Sequence, residues 1–285
     1  MTKVANVIIQ HQIPLKRTVA RVAIAGYGTI GAAVARALDA GVPGLTLVAV
    51  SSGDKAKAEA RLAALKTPVP VVDAETLAAM ADIIVECAPT AAFMEVARPA
   101  LENGRTLVTV SGAAILEHPE VITLAEENGG RIILATGALL GFDAVRAAAE
   151  GIIHSVTMIT RKPPRSLVKA KYVMEHGIDL NKLREPLLLF KGSARNGARE
   201  FPSNVNVAAA LGLAGVGADR TELEIWADPA KQRNCHRIVV DADSARFTLE
   251  IENIPTDENP GTGRITALSL IAALRSLSAP LKVGS

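Results

Sequence analysis

The run Arg21-Val-Ala-Ile-Ala-Gly26-Tyr-Gly28-Thr-Ile-Gly31-Ala-Ala-Val-Ala-Arg-Ala-Leu38 constrains the fold of this chain more than any other stretch. Val22 to Ala25 read as a short apolar strand. Gly26, Gly28 and Gly31 follow in the spacing G-x-G-x-x-G, and Ile30, Val34 and Leu38 continue at helical spacing. Each glycine has its own task in a strand–turn–helix. Gly26 makes the tight turn out of the strand, Gly28 keeps a Cβ out of the path of a pyrophosphate, and Gly31 lets the helix pack closely on the strand. The helix start at Thr29 and Ile30 adds free N–H groups and a partial positive charge. A dinucleotide site at Gly26, Gly28, Thr29, Ile30 and Gly31 is therefore expected. The plainer alternative is an ordinary strand–turn–helix.

The segments that follow repeat a β-α-β pattern. Leu45 to Val50, Val69 to Val72, Ala81 to Glu86, Thr106 to Val110 and Arg131 to Ala135 are apolar strands, with a helix over Thr76 to Ala81. Together with Val22–Ala25 they predict a Rossmann-type, doubly wound parallel sheet of about six strands. Its carboxyl edge carries Ser51 and Ser52, Cys87-Ala88-Pro89-Thr90, Ser111-Gly112, and Thr136-Gly137-Ala138. Such edges are where these sheets bind ligands, so Ser51, Ser52, Cys87, Ala88, Pro89, Ser111 and Ala138 are candidate cofactor contacts. Cys87 reads as a small residue at the edge of the core, since no histidine motif partners it.

The end of the second strand bears on the choice between NAD and NADP. An acidic residue there binds the ribose hydroxyls of NAD. Ser51-Ser52-Gly53 stands in that place, with Asp54, Lys55 and Lys57 beyond. Hydroxyls with nearby lysines accommodate a 2′-phosphate, which leaves NADP open; the alternative is that Lys55 and Lys57 are a solvated helix start.

After residue 140 the pattern changes. Ile153 to Arg161, Leu187 to Phe190, Leu223 to Ala227, His236 to Val240 and Arg246 to Ile251 read as strands, and Phe201 to Leu213 as a helix of small residues. Thr248, Glu250 and Glu252 alternate with Phe247, Leu249 and Ile251, which marks a half-exposed antiparallel strand. A second α+β domain with a mixed or antiparallel sheet is expected over 141–257, after a dinucleotide domain over 21–140. Residues 258–285 hold a helix, Arg264 to Leu277, that returns to the first domain through Leu268, Ile271 and Leu274. Residues 1–20 are an extension in which Val7 to Ile9 form an edge strand or remain disordered.

Composition excludes several classes. A net charge of +2 without a basic, aromatic-interleaved patch argues against nucleic acid. No uncharged apolar run reaches about eighteen residues, so no membrane span is expected. Two cysteines, Cys87 and Cys235, make no disulfide framework and point to the cytoplasm. No cluster has metal-ligand spacing.

The second half carries a series of motifs: Arg161-Lys162-Pro163-Pro164, Phe190-Lys-Gly192-Ser193-Ala194, Phe201-Pro202-Ser203-Asn204-Val205-Asn206-Val207-Ala208, Ala227-Asp228-Pro229 with Asn234-Cys235-His236, and Ile251-Glu252-Asn253-Ile254-Pro255 before Asn259-Pro260. In this order and spacing they resemble the L-aspartate dehydrogenase family, from Arg21 to Gly284. The resemblance implies oxidation of an amino acid by NAD or NADP to an imino acid, then hydrolysis to an oxo acid and ammonia, in a homodimer. It places the family's catalytic histidine on His236 and its cofactor contacts on Ala138 and Asn206. It also departs at Ser51, where many members carry an acidic residue. Homoserine-dehydrogenase-like and dihydrodipicolinate-reductase-like enzymes share the two-domain plan, and a non-catalytic dinucleotide sensor is the alternative from another class.

This chemistry needs an acid/base and groups for two carboxylates. His236 suits the first, because an unperturbed imidazole titrates near the working range. Lys162, before the rigid Pro163-Pro164, is a carboxylate ligand, a second acid/base, or a solvated lysine. Asn204 and Asn206 are candidate amide contacts to substrate and cofactor, or helix caps. His236, Lys162 and Asn204 make up the expected substrate contacts.

Overall fold

A computed structural model describes residues 19–201, 205–259 and 261–284. The expected extension, with Val7 to Ile9, lies outside the described residues apart from its end, and Ala20 already belongs to the first strand. Five parallel strands make the first sheet: β1 (Ala20–Ala25), β2 (Leu45–Ser51), β3 (Ile83–Glu86), β4 (Thr106–Thr109) and β5 (Arg131–Leu134), in the order β2-β1-β3-β4-β5. The expectation of about six strands is corrected at Val69–Val72. That run makes a single bridge, Val50 to Val71, beside β2. Pro68 and Pro70 flank Val69, and a proline has no N–H to give to a ladder.

Helices cover both faces. On one lie α1 (Thr29–Gly41), α2 (Lys55–Leu62) and the C-terminal helix. On the other lie α3 (Ala74–Met80), α4 (Phe93–Glu102), α5 (Gly112–Glu117) and α6 (Glu120–Glu127). Every residue of β3 is buried, as a strand sandwiched between two helical layers must be.

The second sheet is mixed, in the order β10-β9-β6-β8-β7. Its strands are β6 (Ile153–Lys162), β7 (Leu187–Ser193), β8 (Thr221–Ala227), β9 (Asn234–Ala242) and β10 (Arg246–Asn253). β6 pairs in parallel with β8 and antiparallel with β9. Its inner face packs on α7 (Phe142–Ala149), α8 (Lys171–Glu175), α9 (Ala194–Glu200) and α10 (Asn206–Ala214). The helix expected over Phe201–Leu213 is α10, which begins at Asn206; α9 before it is a separate helix that was not expected. The Ser193 hydroxyl accepts from Asn196 N and caps the start of α9, while Phe201 ends it because Pro202 follows.

The C-terminal helix α11 (Arg264–Ser278) packs on α1 in the first core. It does so through Thr266, Ala267, Leu270 and Leu274, with Ile271 partly buried. Leu268, expected on that face, is 59% exposed. Leu270 and Leu274 each stabilise this docking by about 1.5–3 kcal/mol as fully buried side chains.

Candidate active site

The turn from β1 to α1 has the geometry its glycines require. Gly26 has φ +93°, and a Cβ there would lie 2.5 Å from the Cys87 carbonyl oxygen. A Cβ on Gly31 would run into the Gly26 carbonyl oxygen. A Cβ on Gly28 would meet nothing within 4 Å, so the space beside this backbone is open. Gly28 is also the N-cap of α1. It offers no capping side chain, and the first turn holds no acidic residue. The first N–H groups of Thr29, Ile30 and Gly31 therefore keep the capacity to bind an anion. This open cradle fits the pyrophosphate of a dinucleotide.

The other carboxyl ends of the first sheet converge on the same edge. Gly26 N donates to Ser51 O at 2.9 Å. The Ser52 hydroxyl donates to Asp54 O at 3.2 Å, and the Asp54 carboxylate accepts from Lys57 N at 3.0 Å, capping α2. The one acidic side chain near this strand end is thus turned onto a helix. Lys55 is exposed at the start of α2.

Glu86 is fully buried beneath the Cys87–Pro89 turn. It accepts from the Thr109 hydroxyl and from Ala88 N. Burial pushes its carboxyl above the usual carboxylate range against these donors, and raises the Cys87 thiol well above its ordinary value. Ser111 is 5% exposed and hydrogen-bonds to Glu86, so its side chain braces the turn from below. It is not in the wall of the cleft described next.

Between the two sheets lies a cleft of about 180 Å³. Of the residues singled out from the sequence, Ile30, Ala138, Lys162, Asn206 and His236 line it together. Asn204 lies outside the described residues. Asn206 Oδ1 accepts from Ala113 N at 3.1 Å, tying α10 to the first turn of α5 across the domains rather than capping its own helix. α11 closes another side, where Gly137 N donates to the Ser269 hydroxyl at 3.1 Å.

Strand register builds the polar wall. Thr160 of β6 stands opposite His236 of β9, and Ile251 of β10 stands opposite His236 on the other flank. Lys162 and Asn234 are each two residues further along the same faces, and Asn253 pairs with Asn234. Lys162, Asn234 and Asn253 thus form one row at the end of the sheet, with Thr160 and His236 in the next. Lys162 is placed by its carbonyl, which accepts from Asp228 N at 2.8 Å.

Both titratable groups of the cleft are buried, Lys162 at 6% and His236 at 4% exposure. The reading of Lys162 as a solvated lysine is therefore corrected. Its desolvation lowers its pKa from 10.5 to about 8. His236 is held lower still, at about 3, first by desolvation and then by the charge of Lys162. The expectation that it titrates near neutrality is corrected: the imidazole is neutral across the working range. Thr160 Oγ1 lies 3.1 Å from its Nδ1. Among the described residues Nε2 has no hydrogen-bond partner and is the nitrogen available to a ligand.

Asn234, Asn253, Thr262 and Thr266 also line the cleft. Asn253 is the one that sequence reasoning missed with most consequence. Its Nδ2 donates to Ala138 O at 3.0 Å, which fixes the amide orientation. Its Oδ1 is buried and, among the described residues, is the single buried side-chain oxygen or nitrogen without a partner. An orphaned acceptor of this kind costs about 1–3 kcal/mol, so a ligand N–H such as a carboxamide or an amine fits here. The motif Ile251–Pro255 was visible, but nothing local in it distinguishes Asn253 from an ordinary strand end. Among the described residues no group of His, Cys, Asp and Glu is arranged to hold a metal ion.

Comparison with known proteins agrees with this architecture. A family model described as "Aspartate dehydrogenase, C-terminal" matches residues 143–277, and one described as "Homoserine dehydrogenase, NAD binding domain" matches residues 26–135. The chain is similar to an L-aspartate dehydrogenase of Bradyrhizobium diazoefficiens, 54% identical with 93% of this chain and 94% of that one covered. It is also similar to L-aspartate dehydrogenase 3 of Bordetella bronchiseptica, 50% identical over 93% and 97%. In fold it resembles the crystal structure of aspartate dehydrogenase from Thermotoga maritima, with TM-score 0.73, 23% identity, and 93% and 99% of the two chains covered. With 54% and 50% identity to the Bradyrhizobium and Bordetella proteins over 93% of its length, and with the aspartate dehydrogenase C-terminal model on its second domain, the chain belongs to the L-aspartate dehydrogenase family.

Proposed function

We propose that this protein is an NAD(P)-dependent L-aspartate dehydrogenase. It converts L-aspartate, water and NAD(P)⁺ to oxaloacetate, ammonium, NAD(P)H and a proton, through iminoaspartate, and catalyses the reverse amination. The observation that carries the reading is the juxtaposition of buried Lys162 and His236 in a cleft whose other wall is the carboxyl edge of the dinucleotide sheet. NAD(P)⁺ supplies the hydride acceptor for the substrate Cα when bound.

The chain's own groups handle the rest. Its glycine turn holds the phosphates, and Ala138 and Asn206 flank the nicotinamide. Lys162, with a pKa of about 8, is neutral in a large fraction at mildly alkaline pH and takes a proton from the α-ammonium. His236, neutral and held through Nδ1, takes the proton of the water that adds to the imine carbon. The carboxylates of a bound substrate favour the protonated forms of both groups, raising His236 from about 3 toward neutrality and Lys162 from about 8 back toward its ordinary value.

NADP serves at least as well as NAD, because Ser51 and Ser52 stand at the strand end and the nearby Asp54 carboxylate is engaged in capping α2. The outer face of the second sheet carries half-exposed Ile159, Trp226 and Val239, which supports a homodimer. The free thiols of Cys87 and Cys235 support a cytoplasmic setting. Absorbance at the nicotinamide band with a panel of amino acids tests the activity. Turnover of L-aspartate above homoserine and alanine is expected; turnover of none leaves a dinucleotide sensor, and preference for homoserine refutes the substrate.

A further inference from the structure

A second recess of about 690 Å³ adjoins the cleft and shares with it the wall of Asn234, Asn253, Gly261 and Gly263. It is strongly basic. Arg165 and Lys169 enter it from the segment after β6, and Arg233 from the residue before β9. The acidic residue among its described lining is Asp257, and both oxygens of that carboxylate are engaged by Arg264, at 2.8 and 3.0 Å. Among the described residues Lys169 and Arg233 make no ion pair. Arg165 donates to Gln232 O at 3.3 Å, within the same segment that carries Arg233. The Pro163-Pro164 turn, braced by the Ser166 hydroxyl on Pro163 O at 2.8 Å, fixes the base from which Arg165 projects.

The chemistry of the substrate decides what such a recess is for. L-Aspartate brings two carboxylates and one amine. Lys162 is the only Lys or Arg among the described residues of the cleft, and the proposed mechanism makes it lose and regain its proton. Among the described lining of the cleft, a second carboxylate would meet amides, hydroxyls and the His236 imidazole. The recess beside Asn234 and Asn253 presents three cations, Arg165, Lys169 and Arg233. We propose that the distal carboxylate of the amino acid is bound in this recess, and that Arg165, Lys169 and Arg233 set the preference for a dicarboxylic substrate. The inference rests on L-aspartate being the substrate.

The test measures steady-state kinetics with L-aspartate, inhibition by succinate and by butyrate, and NADPH affinity by fluorescence. The proteins are wild type, Arg165→Gln, Lys169→Gln, Arg233→Gln and the triple variant. Arg98→Gln on α4 is the control, removing the same charge far from the recess. Loss of a charge-assisted contact raises KM for L-aspartate about 10- to 100-fold. Succinate inhibition weakens in parallel, butyrate inhibition and NADPH affinity hold, and Arg98→Gln leaves KM unchanged. Unchanged KM and succinate inhibition in the triple variant overturn the proposal while leaving the assigned activity intact. A KM effect that vanishes at about 0.5 M salt, where surface fields are screened within a few ångströms, is steering rather than binding and also overturns it. Wild-type protein that does not oxidise L-aspartate refutes the proposed function, and this inference with it.

Discussion

Replacing Lys162 by methionine separates the stability of this protein from its activity. Lys162 is 6% exposed, and burial lowers its pKa from 10.5 to about 8. At about 1.36 kcal/mol per pKa unit, the folded state bears about 3 kcal/mol for holding this proton. Below pH 8 the lysine is charged in both folded and unfolded chains, and the full penalty is present. Between about 8 and 10.5 the unfolded chain keeps a proton that the folded chain has lost, so wild-type stability rises with pH across that window. Above it both are neutral and the penalty is gone. Met has nearly the same length and no charge. Lys162→Met is therefore expected to be more stable than wild type by up to about 3 kcal/mol at pH 7, with the gap closing by pH 11. The variant is expected to lose nearly all turnover. Urea denaturation of both proteins at pH 7, 9 and 11, followed by circular dichroism, reads the difference. A variant less stable than wild type at pH 7, or a gap that does not shrink with pH, refutes the account of Lys162 as a desolvated cation. Imidazole titration by NMR gives a second check, because removing the neighbouring charge must raise the His236 pKa from about 3.

Other outcomes follow from the same geometry. His236→Ala is expected to lower kcat for L-aspartate by about 10²–10⁴, with NADPH affinity by fluorescence little changed. The rise of kcat/KM in wild type toward pH 8 should persist in the residual activity of His236→Ala and be absent from Lys162→Met, because Lys162 titrates there and His236 does not. Gly28→Val is expected to fold normally and lose dinucleotide binding, since its side chain enters open space beside the turn. Gly26→Ala is expected to lose stability by about 1–3 kcal/mol, the cost of a strained backbone position, in a thermal melt. Ser51→Asp is expected to shift the kcat/KM ratio toward NAD by repelling a 2′-phosphate; an unchanged ratio would mean that the ribose is read elsewhere.

The sequence by itself determined the dinucleotide half almost completely. Glycine spacing, apolar strands and helical periodicity are local signals; Gly26 and Gly31 stand where a Cβ would collide with backbone, and Gly28 beside open space. The alternation in Arg246–Asn253 was likewise legible, and the motif series pointed to the family. What the sequence did not determine depends on contacts between distant segments. Val69–Val72 has strand composition, but the prolines around it leave too few N–H groups to extend a ladder. Leu268 and Leu270 look alike in sequence, and only the docking of α11 decides which is buried.

The polar wall of the candidate site is the clearest case. Lys162, His236 and Asn253 lie in three strands, and one step of register brings them to adjacent rows on one face. A slip of one residue in any strand would turn its contribution to the opposite face. Burial then sets their chemistry. The same Lys and His in water would titrate near 10.5 and 6.5, whereas desolvation between the two sheets holds them at about 8 and about 3. Residue type and spacing fix which groups are available. Solvent exclusion, which exists only once both domains and α11 have closed around the cleft, fixes the protonation state in which they work.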